Sequence, residues 1–333
     1  MLKTPQFWQH KGILSTLLLP IAWLYQFISQ KDLAQKAGKA RKLPKPTIVV
    51  GNINMGGTGK TPATITLTKA FQERGYKVGV LSRGFGRKST DLLIVENDVT
   101  PDLIGDEPYL IYQKTSCYMA IDTDRYKAGM ALLEKHPDID LFICDDALQH
   151  RQLERDIEVI VMGKQGFGNG RIFPAGPLRE PISRLGKADV ILSNNADLEI
   201  LQKVTQPFIQ DKIVTLKSTL LPPVNIKTQE DVDFDQFKNI AFTAVAGIAH
   251  PQNFYNMLTE KGLHFEVRSF PDHFEFTEAD LSPIQSPILM TEKDATKCLN
   301  FERNDLWAVP LENKICSSFI DTLETRLNLI RSK

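Results

Sequence analysis

Neither sign of charge is in excess in this chain. Its 333 residues carry 40 Lys and Arg against 40 Asp and Glu, so the formal net charge is zero. A balanced chain has no bulk basic surface with which to grip nucleic acid, and any cationic site must be local. Cysteine is scarce. The four residues, Cys117, Cys144, Cys298 and Cys316, show neither metal-ligand nor disulfide spacing. That excludes a zinc or disulfide framework and suits a reducing compartment. No internal repeat and no long low-complexity segment is present, which argues against a repeat array or a tail. The apolar and charged fractions, 42% and 24%, are ordinary for a globular protein. The length leaves room for about two domains.

The stretch with the most specific chemistry is Gly51 to Pro62, GNINMGGTGKTP. It follows the strand-like run Thr47–Val50 and precedes a segment with helix-forming composition, 63–74. A strand, a glycine-rich turn, a Lys-Thr pair and a helix make a phosphate cradle. Glycines let backbone N–H groups converge on phosphate oxygens, and the helix start points its positive dipole end at the same anion. The expected nucleotide contacts are Asn54, Met55, Gly56, Gly57, Thr58, Gly59, Lys60 and Thr61. Lys60 is placed to reach the β- and γ-phosphates of ATP and the Thr61 hydroxyl to hold Mg²⁺. The strict P-loop pattern wants glycine where this chain has Asn54, a residue that tolerates left-handed backbone better than most.

The first 45 residues read differently. Gly12 to Gln30 is an uncharged run containing Leu17, Leu18, Leu19, Ile21, Trp23, Leu24, Phe27 and Ile28. As one helix, kinked at Pro20, it would span about 28 Å. Six basic residues and a single acid, Asp32, follow in 31–45. Basic charge directly after an apolar helix attracts anionic headgroups. The reading is a membrane-associated helix, spanning or interfacial, with a basic linker. A signal peptide lacks its small-residue cleavage site, and a buried soluble helix is the competing reading.

From Thr47 onward, apolar strand-like runs alternate with helical segments. This predicts a P-loop NTPase-like α/β domain over 46–210 with a mostly parallel sheet covered on both faces. A second, smaller α/β domain is expected over 211–333, with Ile213–Leu216 and Val224–Ile226 as a possible β-ribbon hinge at its start. A cleft between two such domains is a common ligand site.

Several polar clusters fall at strand ends. Asp145-Asp146 follows the buried run Leu141–Cys144, where a P-loop protein places its second Mg²⁺ anchor. Adjacent residues on a strand face opposite ways, so both acids serve one ion only if the strand has ended. Gln149 and His150 follow closely. Gly105-Asp106-Glu107-Pro108 opens a helix, with Asp106 either its N-cap or a general base and Glu107 a possible metal-site carboxylate. Arg83, Arg125 and Arg179 are candidate anion grips in loops. In the second domain, Asp272-His273 is a candidate half of an acid/base pair, and Lys293 either faces the same cleft or merely belongs to a capped turn.

In this order the segments VVGNINMGGTGKTP, LSRGFGR, GDEP, DDALQHRQLERD, PAGPLRE, AGIAHPQNF, PDHFEF and MTEKDATK resemble the tetraacyldisaccharide 4′-kinases, or lipid A 4′-kinases, over nearly the whole chain. Asn54 then reads as a family trait. One departure stands out. The family usually reads Asp-Asp-Gly-Phe-Gln-His, and this chain has Ala147-Leu148 before Gln149, which puts the flexibility of that turn in question. The resemblance implies transfer of the γ-phosphoryl of ATP to the 4′-hydroxyl of an acylated glucosamine disaccharide 1-phosphate, giving lipid IVA at the cytoplasmic face of the inner membrane. It implies Asp106 and His273 as a catalytic pair, and Asp145, Asp146, Glu107 and Thr61 around Mg²⁺. Asp106 and His273 fall in different predicted domains, so their meeting would need the domains to close. No obligate protein partner is evident. The rival expectations are a membrane-peripheral ATPase switch with no lipid substrate, and a soluble ligase-like P-loop enzyme with a buried first helix.

Overall fold

The computed structural model of the chain describes residues 5–87, 89–96, 99–194, 196–205 and 212–331. In chain order the strands are β1 (Thr47–Gly51), β2 (Val78–Ser82), β3 (Leu93–Val95), β4 (Tyr118–Ile121), β5 (Leu141–Cys144), β6 (Ile157–Gly163), β7 (Val190–Asn194) and β8 (Ile213–Leu220). They continue with β9 (Val224–Asn225), β10 (Thr243–Ala246), β11 (Glu266–Ser269), β12 (Ile288–Thr291), β13 (Leu306–Val309) and β14 (Leu311–Lys314). Two compact units result. The smaller is Ser218–Asn313, and the larger holds the described residues before Ser218 and after Asn313. The expected boundary between 210 and 211 lies outside the described residues.

The larger unit is built on a sheet ordered β8-β7-β6-β1-β5-β2-β4-β3, to which β8 contributes residues 213–217. Strands β8 through β4 of that order run parallel, and β3 closes the edge antiparallel to β4. β1, β5 and β6 are buried along their whole length. They are mainly apolar, as a sheet covered on both sides requires, with Thr47 in β1 and Glu158 in β6 as the polar exceptions. One face carries Ile48, Val50, Val80, Ile143 and Val159 against Leu67 and Phe71 of the helix Lys60–Glu73. The same core takes in Ile320, Leu323 and Leu327 of the helix Ser317–Arg331. This terminal helix therefore belongs to the larger unit, whereas the sequence expectation grouped it with the smaller. Its apolar positions fall three and four apart, a stripe that needs a sheet face to cover it.

The smaller unit has a sheet ordered β11-β10-β12-β13-β9, parallel except for β9. Phe242, Ala244 and Leu289 lie in one core cluster, and Val245, Ile288 and Met290 in another. The expected ribbon between 213–216 and 224–226 does not form. β8 pairs parallel with β7, and β9 pairs antiparallel with β13 in the other sheet. Pro222 and Pro223 between them lack the N–H groups that a hairpin ladder uses.

The N-terminal run is not one kinked helix. It divides at Leu18 into Ile13–Leu17 and Leu19–Ala37. Pro20 sits in the first turn of the second helix, where its missing N–H costs nothing. That helix continues into the basic segment, with Lys36 paired to Asp32 at 2.7 Å. Among the described residues, no helix is long and apolar enough to cross a membrane. Ile13, Leu17, Trp23 and Phe27 are nonetheless more than 60% exposed. The segment is anchored at its polar side: Trp8 Nε1 donates to Pro174 O at 3.0 Å and Arg171 Nη1 to Thr16 Oγ1 at 3.0 Å.

Candidate active site

The phosphate cradle starts where β1 ends at Gly51 and closes where the helix Lys60–Glu73 begins. The two positive-φ positions in the loop are Gly56 and Gly59, both at 93°. Asn54 is not among the left-handed residues, so the reason expected for tolerating it there is replaced by another. It is fully buried and bridges Leu178, and its Nδ2 donates to Gly166 O at 2.7 Å. Met55 N donates to Pro177 O at 2.7 Å beside it. A glycine at 54 would forgo the side-chain bond that ties this arm of the loop to 166–178.

The opposite arm is held by residues the sequence did not single out. Asn52 Nδ2 donates to Gly56 O at 3.2 Å and to Thr58 Oγ1 at 3.0 Å. Asn194, at the end of β7, donates from Nδ2 to Thr58 O at 3.2 Å. A Cβ on Gly59 would stand 1.9 Å from that same Nδ2. The available signal for Asn194 was its place at the carboxyl end of a buried parallel strand, where ligand sites gather.

Lys60 and Thr61 lie in the first turn of the helix, with Thr61 8% exposed. Lys60 Nζ reaches Asp146 Oδ1 at 3.7 Å, and Arg179 Nη1 approaches the same oxygen at 3.9 Å. β5 ends at Cys144, and Asp146 takes φ of 44°, so the strand has finished before the second acid. The positive φ thus falls on Asp146, a residue type that tolerates it, and Ala147 is not among the left-handed residues. The missing glycine at 147 is no handicap at this turn. Leu148 packs against the end of β1, where a Cβ on Gly51 would lie 2.4 Å from its own Cβ.

Asp145 is buried and accepts from Thr64 Oγ1 at 2.7 Å. Burial pushes its carboxyl up to about 7, the charges of Glu107 and Asp146 add to the push, and Thr64 and Lys60 oppose it. Glu107 is therefore brought into the same electrostatic neighbourhood. It and Asp106 occupy the first turn of the helix Asp106–Thr115. The N-cap is Gly105 rather than Asp106, at φ of 92°. A Cβ there would meet Phe85 O at 2.6 Å, so the glycine lets the loop after β2 lie against this helix start.

A divalent cation suits this arrangement. Asp146 Oδ1 is shielded from solvent with no hydrogen-bond donor, and the crowded carboxylates need a positive charge. Among the described residues no three His, Cys, Asp or Glu side chains are arranged to hold a metal alone. Mg²⁺ does not ask for such a cage, since it takes one or two carboxylates together with phosphate oxygens and water.

The remaining candidates separate by exposure. Arg83 is exposed on the loop after β2, and its charge acts on Arg125. Arg125 is 2% exposed and donates to Asp122 O at 2.8 Å. Burial pulls its guanidinium below the usual range, opposed by the negative charges of Asp145 and Asp146. It is a fixed cation behind the two acids. Gln149 Nε2 donates to Asn52 O at 3.0 Å and Glu180 Oε1 at 2.8 Å, so it braces the cradle. His150 is half-buried, and burial lowers it to about 4, with Arg125 next among the causes.

In the smaller unit, His273 follows β11 with φ of 58°. Asp272 Oδ1 lies 3.9 Å from His273 Nε2 and 3.6 Å from Lys293 Nζ, and the lysine and histidine nitrogens are 3.4 Å apart. Thr291 caps the turn that carries Lys293, accepting from Asp294 N. Lys293 therefore belongs to a capped turn and also stands beside Asp272 and His273.

A family model described as tetraacyldisaccharide-1-P 4′-kinase matches residues 14–328. A tetraacyldisaccharide 4′-kinase of Dechloromonas aromatica is 38% identical, covering 93% of this chain and 92% of its own length. The protein of that name from Pasteurella multocida is 39% identical over 98% of this chain and 99% of its own. Among solved structures, the "apo" form of LpxK from Aquifex aeolicus in complex with ATP superposes with a TM-score of 0.77. It is 30% identical in sequence, and the match covers 95% of this chain and 99% of that one.

Proposed function

The chain belongs to the tetraacyldisaccharide-1-P 4′-kinase family, and from that premise we infer that it transfers the γ-phosphoryl of ATP to the 4′-hydroxyl of a tetraacyl disaccharide 1-phosphate in lipid A biosynthesis. The observation that carries this reading is the convergence of Lys60, Asp145, Asp146 and Glu107 at the mouth of a glycine-lined cradle.

Phosphoryl transfer asks little covalent chemistry of a protein. It asks for positioning and for charge placed where the transferring group develops it. Backbone N–H groups of 56–61 hold the phosphates, and Lys60 neutralises the β- and γ-oxygens. Asp145, Asp146, Thr61 and, directly or through water, Glu107 would hold Mg²⁺, which would supply Lewis-acid charge to the phosphates. Lys60 now rests on Asp146 and exchanges that contact for phosphate oxygens when ATP enters. Arg83 and Arg179 are the half-buried or exposed cations left to meet phosphate groups of nucleotide or lipid.

A sugar hydroxyl is a poor nucleophile until its proton is taken. Asp106 takes that proton, and His273 acts with it by orienting the carboxylate or sharing its charge. Asp272 and Lys293 hold the imidazole in place. The exposed apolar residues Ile13, Leu17, Ile21, Trp23, Leu24, Phe27 and Ile28 seat the chain in the interface of the membrane that holds an acylated substrate. The basic side chains of 31–45 meet anionic headgroups at its cytoplasmic face.

His273→Ala tests the assignment. Loss of general-base assistance lowers phosphate transfer to the lipid by roughly 10²-fold or more. A membrane-bound ATPase switch has no use for this histidine, so an unchanged turnover would contradict the kinase reading of the smaller unit.

A further inference from the structure

Behind the cradle lies a buried ionic cluster that the proposed chemistry does not use. Glu158 sits within β6, only 6% exposed, in a strand whose other side chains are apolar. Its neighbour across the sheet is Val49 of β1. Arg184 donates to both carboxylate oxygens at 2.6 Å, and Arg155 Nη1 to one of them at 3.1 Å. Removing such charges from water costs about as much as their attraction returns, so stability alone does not account for them.

The rest of the Arg155 fork points at the turn after β5. Nη1 donates to Leu148 O at 2.9 Å, and Nη2 donates to His150 O at 2.6 Å and Leu153 O at 3.0 Å. This is the turn that opens with Asp145 and Asp146. It meets the cradle twice, through Leu148 on Gly51 and through Gln149 on Asn52 O. A single guanidinium thus holds three carbonyls of the segment that begins with Asp145 and sets Asp146 against Lys60.

We propose that Arg155, braced by Glu158, is a positioning residue for the Mg²⁺-nucleotide site. It touches neither ion nor phosphate and acts through Asp145 and Asp146. The inference rests on reading those acids as the Mg²⁺ ligands. Arginine is required because three acceptors in different directions need a rigid planar fork, whereas lysine presents its donors from one atom. Glu158 is required as a carboxylate because its charge draws the fork into place.

The test is calorimetric binding of a non-hydrolysable ATP analogue to the full chain, with EDTA and with Mg²⁺, for wild type, Arg155→Lys and Glu158→Gln. Amide hydrogen exchange over 145–153 is followed in parallel. In EDTA both variants bind within about threefold of wild type, because Lys60 and the loop glycines are untouched. The gain in affinity on adding Mg²⁺ falls at least tenfold in Arg155→Lys. Exchange over 145–153 quickens in that variant while β1 and β6 stay protected. A folded Arg155→Lys protein with the full Mg²⁺ gain overturns the proposal. If that variant does not fold, Glu158→Gln decides by the same criterion. A wild type that binds the analogue with no Mg²⁺ gain removes the premise, a result distinct from an unaltered variant.

Discussion

Gly59→Ala isolates the conformational demand of the cradle. Gly59 holds φ of 93° as the N-cap of the helix that starts at Lys60. Two costs fall on an alanine there. Left-handed backbone costs an L-residue about 1–2 kcal/mol. The new methyl would also lie 1.9 Å from Asn194 Nδ2, so Asn194 must swing away and surrender its bond to Thr58 O, worth about 1 kcal/mol. The core strand is not affected, because Ile48, Val49 and Val50 are fully buried behind the loop. The resting variant therefore relaxes its loop and must rebuild it to bind phosphate. The sum of about 2–3 kcal/mol appears as a roughly 30- to 150-fold weaker ATP dissociation constant, read by calorimetry, with little change in melting temperature. Asn194→Gly alone deletes the same bond without the backbone cost, so a roughly fivefold deficit is expected of it. Gly59→Ala binding within threefold of wild type would refute the reasoning.

Other expectations are more local. Thr64→Val removes the hydroxyl that donates to buried Asp145 and lowers stability by about 1–3 kcal/mol, while Thr64→Ser retains it in urea unfolding. Because Asp145 is raised to about 7, it must lose a proton to hold a cation. Mg²⁺ affinity without nucleotide therefore declines as pH falls below about 7, and binding at pH 6 releases a proton; equal titrations at pH 8 and pH 6 would contradict this. His150 is held neutral by burial, down to about 4. Between its unfolded value near 6.5 and about 4 the unfolded chain binds the extra proton, so its share of stability is complete above 6.5 and lost as pH falls through that window. His150→Asn should flatten the decline of melting temperature between pH 7 and pH 5.

The phosphate cradle was legible in the sequence because its parts are local. Gly56, Gly59, Lys60 and Thr61 are neighbours in the chain, and their spacing alone describes the loop. The parallel sheet was legible for a similar reason, since β1 and β5 are short, mainly apolar runs and β6 is apolar apart from Glu158. What holds the cradle was not legible, because it depends on contacts distant in sequence. Thr64 reaches Asp145 from 81 residues away and Asn194 reaches Thr58 from 136. Asn54 was read as a backbone accommodation and is a side-chain tie to Gly166. The placement of the terminal helix was misjudged because its apolar stripe fits any sheet face, and only packing shows that Leu323 and Leu327 lie in the core with Phe71. The β8–β9 ribbon failed because sequence proximity suggested pairing where two prolines prevent it.

The most direct test of the kinase reading is phosphate transfer from γ-labelled ATP to purified tetraacyl disaccharide 1-phosphate in mixed micelles, with wild type beside Asp106→Ala. Wild type should place the label in the lipid, and the variant should lose roughly 10²-fold or more of that transfer. Label released only as free phosphate, equally from both proteins, would contradict it.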